Sequence, residues 1–455
     1  MKRPIWARFH KKIAMQSWRD KNGNGRLILK SGQMIVTGLG GQLLLLISGP
    51  LVARMLGVTD RGYLAGLIIW PVMFSAVGGL GMPAACTYYL TRDREHSGQI
   101  LGEVCRTAIL QSVFASVLAS VALCLWIRGK PPEVQLGVFP ALLMVPAGLT
   151  LQYATAVLQG QHRFTALNVV RILPAALYAL AVVILFALEE QRLFVVVLTW
   201  TGAYVIAATA GTWAALRRSG IDWRGARDLR PALWRFGLRG YFGAMSPVET
   251  LRIDQAAAAV FFPPTALGLY VVALAFSNLP RFIARSVSLI AYPTVSTQVD
   301  DAAARRLIWR FFWGTSFLTS ICVFLLEIAM PVLIRFFFGH DFEPAIPIAR
   351  ILVVGAGFAA MRRILGEGLR GLGHPHISTV SELSMYPWLA IGAPLLMFFA
   401  GIRGLALAVC VGQAISFATA VVGARSAMAS TGPRDDARRS FRQEDPPVPD
   451  TEPLV

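Results

Sequence analysis

The segment LFVVVLTWTGAYVIAATAGTWAAL, residues 193–216, runs for 24 residues without an Asp, Glu, Lys or Arg. As a helix it would measure about 36 Å, because each residue adds about 1.5 Å, and this exceeds the roughly 30 Å hydrocarbon core of a bilayer. The whole chain of 455 residues is 55% hydrophobic and 15% charged, with a mean hydropathy of +0.57. That composition leaves too little polar surface for a soluble globule of this size and indicates a multi-pass membrane protein.

Similar apolar runs recur along most of the chain. Several contain Pro or Gly, which membrane helices tolerate because neighbouring helices and waters satisfy the freed backbone groups. The sequence therefore predicts an all-α integral membrane protein with about 12 transmembrane helices. The predicted spans are residues 33–53, 62–90, 107–127, 138–159, 171–188, 193–216, 234–262, 265–293, 310–338, 345–369, 377–400 and 402–425.

The distribution of basic residues predicts the orientation of these spans. If both termini are cytoplasmic, 32 of the 43 Lys and Arg residues fall in inner segments, seven in outer loops and four within spans. This bias is the positive-inside pattern of membrane proteins. It also accounts for the formal net charge of +18, since basic loops face anionic lipids. Membrane lipids are therefore expected partners, and nucleic acid is not.

Two pairs of motifs indicate an internal repeat. TDRGYLAGLIIWPVMF, from Thr59, is echoed 206 residues later by TALGLYVVALAFSNLP, from Thr265, and LQGQHRF is echoed by LRGLGHP with Gly160 and Gly371 offset by 211. Transporters with such repeats place their substrate sites between the repeats. The predicted divisions are a basic cytoplasmic tail (1–30), a six-helix half (31–216), a basic cytoplasmic linker (217–233), a second six-helix half (234–428) and a Pro-rich, charged, disordered tail (429–455).

These motifs also carry a resemblance to a known family. ARMLGVTDRGYLAG (53–66) and GGLGMPAACTYYL (78–90) resemble the first outer loop and second helix of the oligosaccharide flippases, the Wzx-like polysaccharide transporters of the MOP superfamily. The resemblance continues in RFGLRGYFGAMSPVETLRIDQ (235–255), in ALGLYVVALAFSNLPRFIARSVSLIAYPTVS (266–296) and in LRGLGHPHIST (369–379). It covers most of residues 31–425.

The resemblance implies two pseudo-symmetric six-helix bundles around a central cavity. The implied activity is translocation, by alternating access, of an undecaprenyl-diphosphate-linked oligosaccharide from the inner to the outer leaflet of the bacterial cytoplasmic membrane, for surface polysaccharide assembly. A polysaccharide polymerase and transferases are candidate partners, and no cofactor is implied. One departure is that the spans of the first half are almost free of charge and carry only the polar Gln33, Gln42 and Gln152.

Ionisable residues inside the predicted spans mark the candidate site. PVETLRIDQAAAAV (247–260) carries Glu249, Arg252 and Asp254, and later spans carry Arg281 and Glu327. Exposing all five to lipid would cost on the order of 15 kcal/mol, at about 2.5–3.5 kcal/mol for each charge. They must pair with one another or line a wet cavity, and both options place them between the halves.

Helical spacing sorts these residues. Glu249 and Arg252 are three apart and are expected on one face, whereas Asp254 lies about 200° around the helix from Arg252. Arg281 and Arg285 are one turn apart, and two guanidinium groups suit a diphosphate. The predicted substrate-binding residues are Arg252, Arg281, Arg285, Asn278 and, at the outer mouth, Arg54. The predicted sites for a coupling proton or sodium ion are Glu249 first, then Asp254 and Glu327.

Each of these groups has an alternative interpretation as an ion pair that only sets helix register. Arg362, Arg363 and Arg370 are interpreted mainly as positive-inside signals. Two other functions remain open, a multidrug or cation exporter of the same superfamily and a membrane polysaccharide polymerase or ligase. An exporter of cations favours an acidic cavity, and an enzyme needs acids, bases or a metal in a sizeable aqueous loop. The outer loops are short and the five cysteines are scattered, so no catalytic residue or metal site is predicted.

The topology can be tested by labelling. Single cysteines replacing Lys130, Arg192 or Arg403 should react with a membrane-impermeant thiol reagent in intact cells. Cysteines in the 217–233 linker should react only after the cells are opened. Labelling of the linker in intact cells would contradict the predicted orientation.

Overall fold

A computed structural model describes residues 23–217, 219–223, 229–296, 298 and 300–430 of the chain. Within them the secondary structure is helical, with short turns and no strand. Most of the predicted N-terminal tail, up to residue 22, and the predicted disordered tail from residue 431 lie outside the described residues. The first helix begins at Gly23, so the last part of the predicted 1–30 tail is helical.

Fourteen α-helices and one short 3-10 helix follow one another along the described part of the chain. Their order is α1 Gly23–Gly78, α2 Met82–Arg92, α3 Ser97–Trp126, α4 Pro132–Leu136, α5 Val138–Gly160, α6 Phe164–Ala187, α7 Leu193–Leu216, α8 Arg230–Ala244, α9 Ile253–Phe261, α10 Pro264–Ser296, α11 Asp301–Phe338, the 3-10 helix His340–Ala345, α12 Ile346–Gly371, α13 Pro375–Leu383 and α14 Met385–Ser430.

These helices account for the predicted number of membrane crossings. Nine helical stretches of the described chain are long and apolar enough to cross a membrane. Two of them, in α1 and in α13–α14, are long enough for two crossings, and each is divided by a glycine with positive φ, Gly57 or Gly401. The short helices α8 and α9 share the remaining predicted span, 234–262. The prediction of an all-α membrane protein with about 12 transmembrane helices is confirmed.

Most buried apolar clusters stay within one predicted half. Three of them use side chains from residues 52–233, and a fourth uses side chains from residues 291–427. A further cluster joins residues of α9–α14 to Ala53, Ala65 and Ile69 of α1. This pattern fits two bundles that touch where α1 meets α10.

The repeated glycines lie at this contact, which is at the predicted outer end. A Cβ atom on Gly62 would overlap the carbonyl oxygen of Pro264, and a Cβ atom on Gly268 would overlap that of Val58. Both glycines belong to the echoed motifs that start at Thr59 and Thr265. Each copy of the motif therefore packs its glycine against the backbone just before the other copy.

The second pair of echoed glycines has equivalent neighbours. A Cβ atom on Gly160 would press against Leu90, and a Cβ atom on Gly371 would press against Val295. Leu90 and Val295 are 205 residues apart, close to the 211-residue offset of the glycines themselves. Equivalent positions in the two predicted halves therefore have equivalent packing.

The first helix of the predicted second half packs on the first half. The hydroxyl of Tyr241, in α8, donates to the carbonyl of Val77 at 2.8 Å. At the start of α8, Arg230 pairs with the buried Glu103 of α3, with Nε and Oε1 2.5 Å apart. α8 also contacts α13, whereas α9 packs mainly against α10 and α14 and also contacts α1. The main packing partner therefore changes between α8 and α9 and not at residue 234.

The glycine contact gives a test of how the halves close. Gly62→Ala should force the outer contact apart, because its Cβ would overlap backbone and not a flexible side chain. Overpacking costs about 1–3 kcal/mol, so the fraction of molecules in which the contact between α1 and α10 is open should rise about fivefold or more. The readout is labelling of an Ala53→Cys reporter, buried in the contact, by an impermeant thiol reagent in a background without the five native cysteines.

Gly314→Ala is the matched control, because a Cβ atom there meets nothing within 4 Å. It should leave the labelling of the reporter unchanged. Equal labelling in the Gly62→Ala and Gly314→Ala proteins would show that the glycine contact does not hold the halves together.

Candidate functional site

A turn interrupts the helix that the sequence predicts across residues 234–262. Residues 245–252 lie between α8 and α9, and the Ser246 carbonyl accepts from the N–H groups of Thr250 and Leu251 at 3.1 and 3.0 Å. Pro247 has no N–H and restricts the residue before it, which favours a break here. Arg252 has φ of 51°, in the left-handed region, directly before α9. The prediction that Glu249 and Arg252 share a helix face is wrong, because neither lies in a helix.

The turn brings Glu249 to three arginines from two other helices. Arg363 Nη2, from α12, donates to Glu249 Oε2 at 2.6 Å, and Arg285 Nη2, from α10, donates to the same oxygen at 3.2 Å. Arg281 Nε lies 3.8 Å from Oε1. The Glu249 side chain is 8% exposed. The structure therefore brings the predicted residues Glu249, Arg281 and Arg285 together and adds Arg363.

A second ion pair lies beside this group. Arg362 Nη2 is 2.5 Å from Glu382 Oε1, and both side chains are largely buried. The hydroxyl of Tyr386, at the start of α14, donates to the carbonyl of Met245 at 3.1 Å and so ties that helix to the turn. We call Glu249, Arg281, Arg285, Arg362, Arg363 and Glu382 the arginine cluster. Four arginines and two glutamates leave this cluster with two surplus positive charges.

Asp254 occupies a different environment. It is 2% exposed in the first turn of α9, and its Oδ2 accepts from the hydroxyl of the buried Tyr270 at 2.8 Å. Oδ1 has no hydrogen-bond partner among the described residues. Arg281 of the arginine cluster and Arg252 both lie within electrostatic range of Asp254, and Arg252 also lies within range of Tyr204 of α7. Asp254 is thus a buried carboxyl with one unpaired oxygen.

Glu327 belongs to another ion pair, away from the arginine cluster. Arg350 Nε lies 3.6 Å from Glu327 Oε2, which joins α12 to α11. Arg350 and Arg363 are thirteen residues apart on the same helix, or about 20 Å along its axis. The alternative interpretation of Glu327, as one partner of a pair that sets helix register, fits this placement better than ion coupling.

Arg54 and Asn278 also lie outside the arginine cluster. Arg54 Nε donates to the Phe337 carbonyl at 3.0 Å, and its Nη2 donates to the Phe336 carbonyl, both in the last turn of α11. A cation there satisfies unpaired carbonyls and complements the helix dipole. Arg54 therefore links α1 to α11 at the predicted outer end. Asn278 is exposed on α10, three residues before Arg281, and within the described residues it forms no hydrogen bond with the cluster.

Two apolar cavities lie among helices of the first half and α8, and neither includes these residues. One, of about 250 Å³, lies between α1, α3 and α8, and another, of about 420 Å³, lies among α3, α5 and α7. Neither is lined by a charged side chain. Among the described residues, no group of three or more His, Cys, Asp or Glu side chains lies close enough to hold a metal ion.

The sequence interpretation missed Arg362, Arg363 and Glu382. The two arginines are an adjacent pair inside the predicted span 345–369, and the positive-inside pattern accounts for them without any role in a site. Their position within an apolar span, four residues or more from its end, is the signal that could have marked them. Glu382 lies near the start of the next predicted span, and nothing in the sequence pairs it with Arg362.

Comparison with known proteins places the chain in a family. The family model described as "Polysaccharide biosynthesis protein" matches residues 51–347, which is 297 of the 455 residues. Comparison with curated protein sequences found no match.

Solved structures with the same fold include transporters and a flippase. An inward-facing multidrug resistance MATE family transporter of the MOP superfamily is 14% identical, with a TM-score of 0.69 over 86% of this chain and 95% of that one. Lipid II flippase MurJ in an inward closed conformation is 13% identical, with a TM-score of 0.71 over 86% and 87%. The MATE multidrug transporter DinF-BH is 18% identical, with a TM-score of 0.62 over 87% and 94%. The chain belongs to the polysaccharide biosynthesis protein family, and it is a multi-pass membrane protein whose fold is similar to that of these transporters and this flippase.

Proposed function

We propose that this protein is a flippase for lipid-diphosphate-linked oligosaccharide. In this proposal it moves the lipid, with undecaprenyl diphosphate as the carrier, from the inner to the outer leaflet of the bacterial cytoplasmic membrane for surface polysaccharide assembly. Both termini face the cytoplasm. A polysaccharide polymerase and transferases that act on the same sugars are the proposed partners, and the protein itself performs no covalent chemistry.

The surplus positive charge of the arginine cluster is the observation that carries this proposal. Two of its positive charges have no matching carboxylate inside the cluster, and the guanidinium groups of Arg285 and Arg363 are partly exposed. Placing uncompensated charge within membrane-spanning helices is costly unless a ligand makes use of it. A diphosphate diester carries two negative charges and accepts paired N–H donors from arginine. The cluster and the proposed headgroup are therefore complementary in charge.

The same surplus argues against a cation exporter. A cationic drug near Arg281, Arg285 and Arg363 would meet repulsion in a medium that screens charge poorly. A dianionic headgroup is also driven outward by a membrane potential that is negative inside, at about 2.3 kcal/mol per charge per 100 mV. The potential thus favours export, and a coupling ion would serve to reset the empty carrier.

For that coupling step we propose Asp254 in preference to Glu249. The Glu249 carboxylate is already held by two guanidinium donors, so a proton or sodium ion would compete with arginine. Asp254 is buried and has one oxygen without a partner among the described residues. A buried carboxylate with an unmet acceptor is costly, and a bound cation or proton relieves that cost. The Tyr270 hydroxyl would keep the group oriented in both states.

The proposed function can be tested in proteoliposomes with a fluorescent lipid-diphosphate-linked oligosaccharide. The variant Arg285→Gln with Arg363→Gln should slow flipping by at least about tenfold, because hydrogen bonds to charged groups contribute about 1.5–3 kcal/mol each. The control Arg425→Gln removes an exposed arginine of α14 and should flip normally. Transport of a cationic dye by the wild-type protein, with no flipping of the diphosphate lipid, would reject the proposal and support the exporter.

The coupling proposal has a separate test. Asp254→Asn should abolish the dependence of flipping on an imposed proton or sodium gradient, because the amide does not titrate and has no negative charge to hold a sodium ion. Glu249→Gln should keep that dependence, whatever its overall rate. Retained gradient dependence in the Asp254→Asn protein, or its loss in Glu249→Gln alone, would assign coupling to another residue.

A further inference from the structure

The geometry points to Glu249 as a resident anion that the substrate displaces. We propose that its carboxylate occupies the place of a substrate phosphate between Arg285 and Arg363, and that exchange for the diphosphate releases the turn at 245–252. This inference rests on the proposed function. In this inference Glu249 acts in substrate binding and in conformational change, and not in ion coupling.

The first support is the order in which the charged groups meet an incoming ligand. The Arg285 and Arg363 side chains are 47% and 28% exposed, whereas Arg281 and Glu249 are 10% and 8% exposed. The two accessible guanidinium groups are the ones that donate to Glu249 Oε2. An anion that enters the site would therefore encounter its two best donors first, with the carboxylate behind them.

The second support is the charge balance. Glu249 is the carboxylate that pairs with Arg281, Arg285 and Arg363 among the described residues. The buried Asp254 lies within electrostatic range of Arg281, so this part of the cluster keeps a surplus of two positive charges when Asp254 is neutral and of one when it is ionised. A dianion at Arg285 and Arg363 neutralises that surplus. Glu249 Oε1 has no hydrogen-bond partner in the described part of the chain, and Arg281 Nε, 3.8 Å away, is also without one. Glu249 can therefore turn toward Arg281 when it gives up the other two arginines.

The third support is where Glu249 is attached. Its turn separates α8, which packs mainly on the first half and also contacts α13, from α9, which packs mainly on α10 and α14 of the second half and also contacts α1. The ion pairs of Glu249 tie this turn to α10 and α12. Loss of both pairs to a diphosphate leaves the turn held by the Glu249–Arg281 contact, by the Tyr386 hydrogen bond to α14 and by the buried Val248. Ligand binding would thus loosen the connection between the two halves at the segment where their packing partners change.

The test measures binding of inorganic pyrophosphate to the purified full-length protein. Because a resident competitor is removed, Glu249→Gln should bind pyrophosphate at least about fivefold more tightly than the wild type. Arg285→Gln and Arg363→Gln should each weaken binding. Glu343→Gln is the matched control, because its carboxylate pairs with Arg335 at the opposite end of α12, and it should leave binding unchanged.

A second measurement needs no substitution. Hydrogen–deuterium exchange of the 245–252 turn in the wild-type protein should increase when pyrophosphate is added. Two results would reject the displacement of Glu249 by the ligand: the Glu249→Gln protein binds pyrophosphate no more tightly than the wild type, or hydrogen exchange of the turn does not increase. If the arginine variants still lose pyrophosphate binding, the proposed diphosphate site stands. Absence of pyrophosphate binding by every protein, the wild type included, would overturn both.

Discussion

The interaction of one carboxylate with three guanidinium groups inside a membrane protein is the constraint on which the rest of the site depends. Glu249 reaches Arg363, Arg285 and Arg281 because α8 and α9 are separated by a turn that points its side chain toward α10 and α12. A continuous helix from residue 234 to residue 262 would keep the ladder of backbone hydrogen bonds that lipid requires. At residues 245–252 the helical hydrogen bonds are replaced by those of local turns. The result is a charged site formed by the turn, α10 and α12 together.

The architecture was predictable because the bilayer imposes a simple rule on sequence. Apolar runs of about 20 residues must be helices, so the number of spans and the all-α class follow from composition and length. The echoed motifs predict an internal repeat, and their glycines Gly62 and Gly268 each pack against backbone near the other motif. A glycine required by close packing is one of the few features of a membrane helix that leaves a clear mark in the sequence.

The site was only partly predictable, because its geometry depends on contacts between distant segments. Arg281 and Arg285 are recognisable from their spacing of one helical turn, and the structure places both in α10. The same helical rule fails for Glu249 and Arg252, because both lie in the turn that follows Pro247 and not in a helix. The sequence alone favours an orienting role for Arg363, because a basic residue near an inner helix end serves orientation in most membrane proteins. Its 2.6 Å contact with a residue 114 positions away is tertiary information.

A structure of the full chain in a lipid nanodisc with undecaprenyl diphosphate would show whether Arg285 and Arg363 hold a diphosphate in place of Glu249. We expect phosphate oxygens at about 2.7–2.9 Å from the guanidinium nitrogens of both arginines, with Glu249 turned away from them. A diphosphate bound elsewhere, with Glu249 still paired to Arg285 and Arg363, would contradict this expectation.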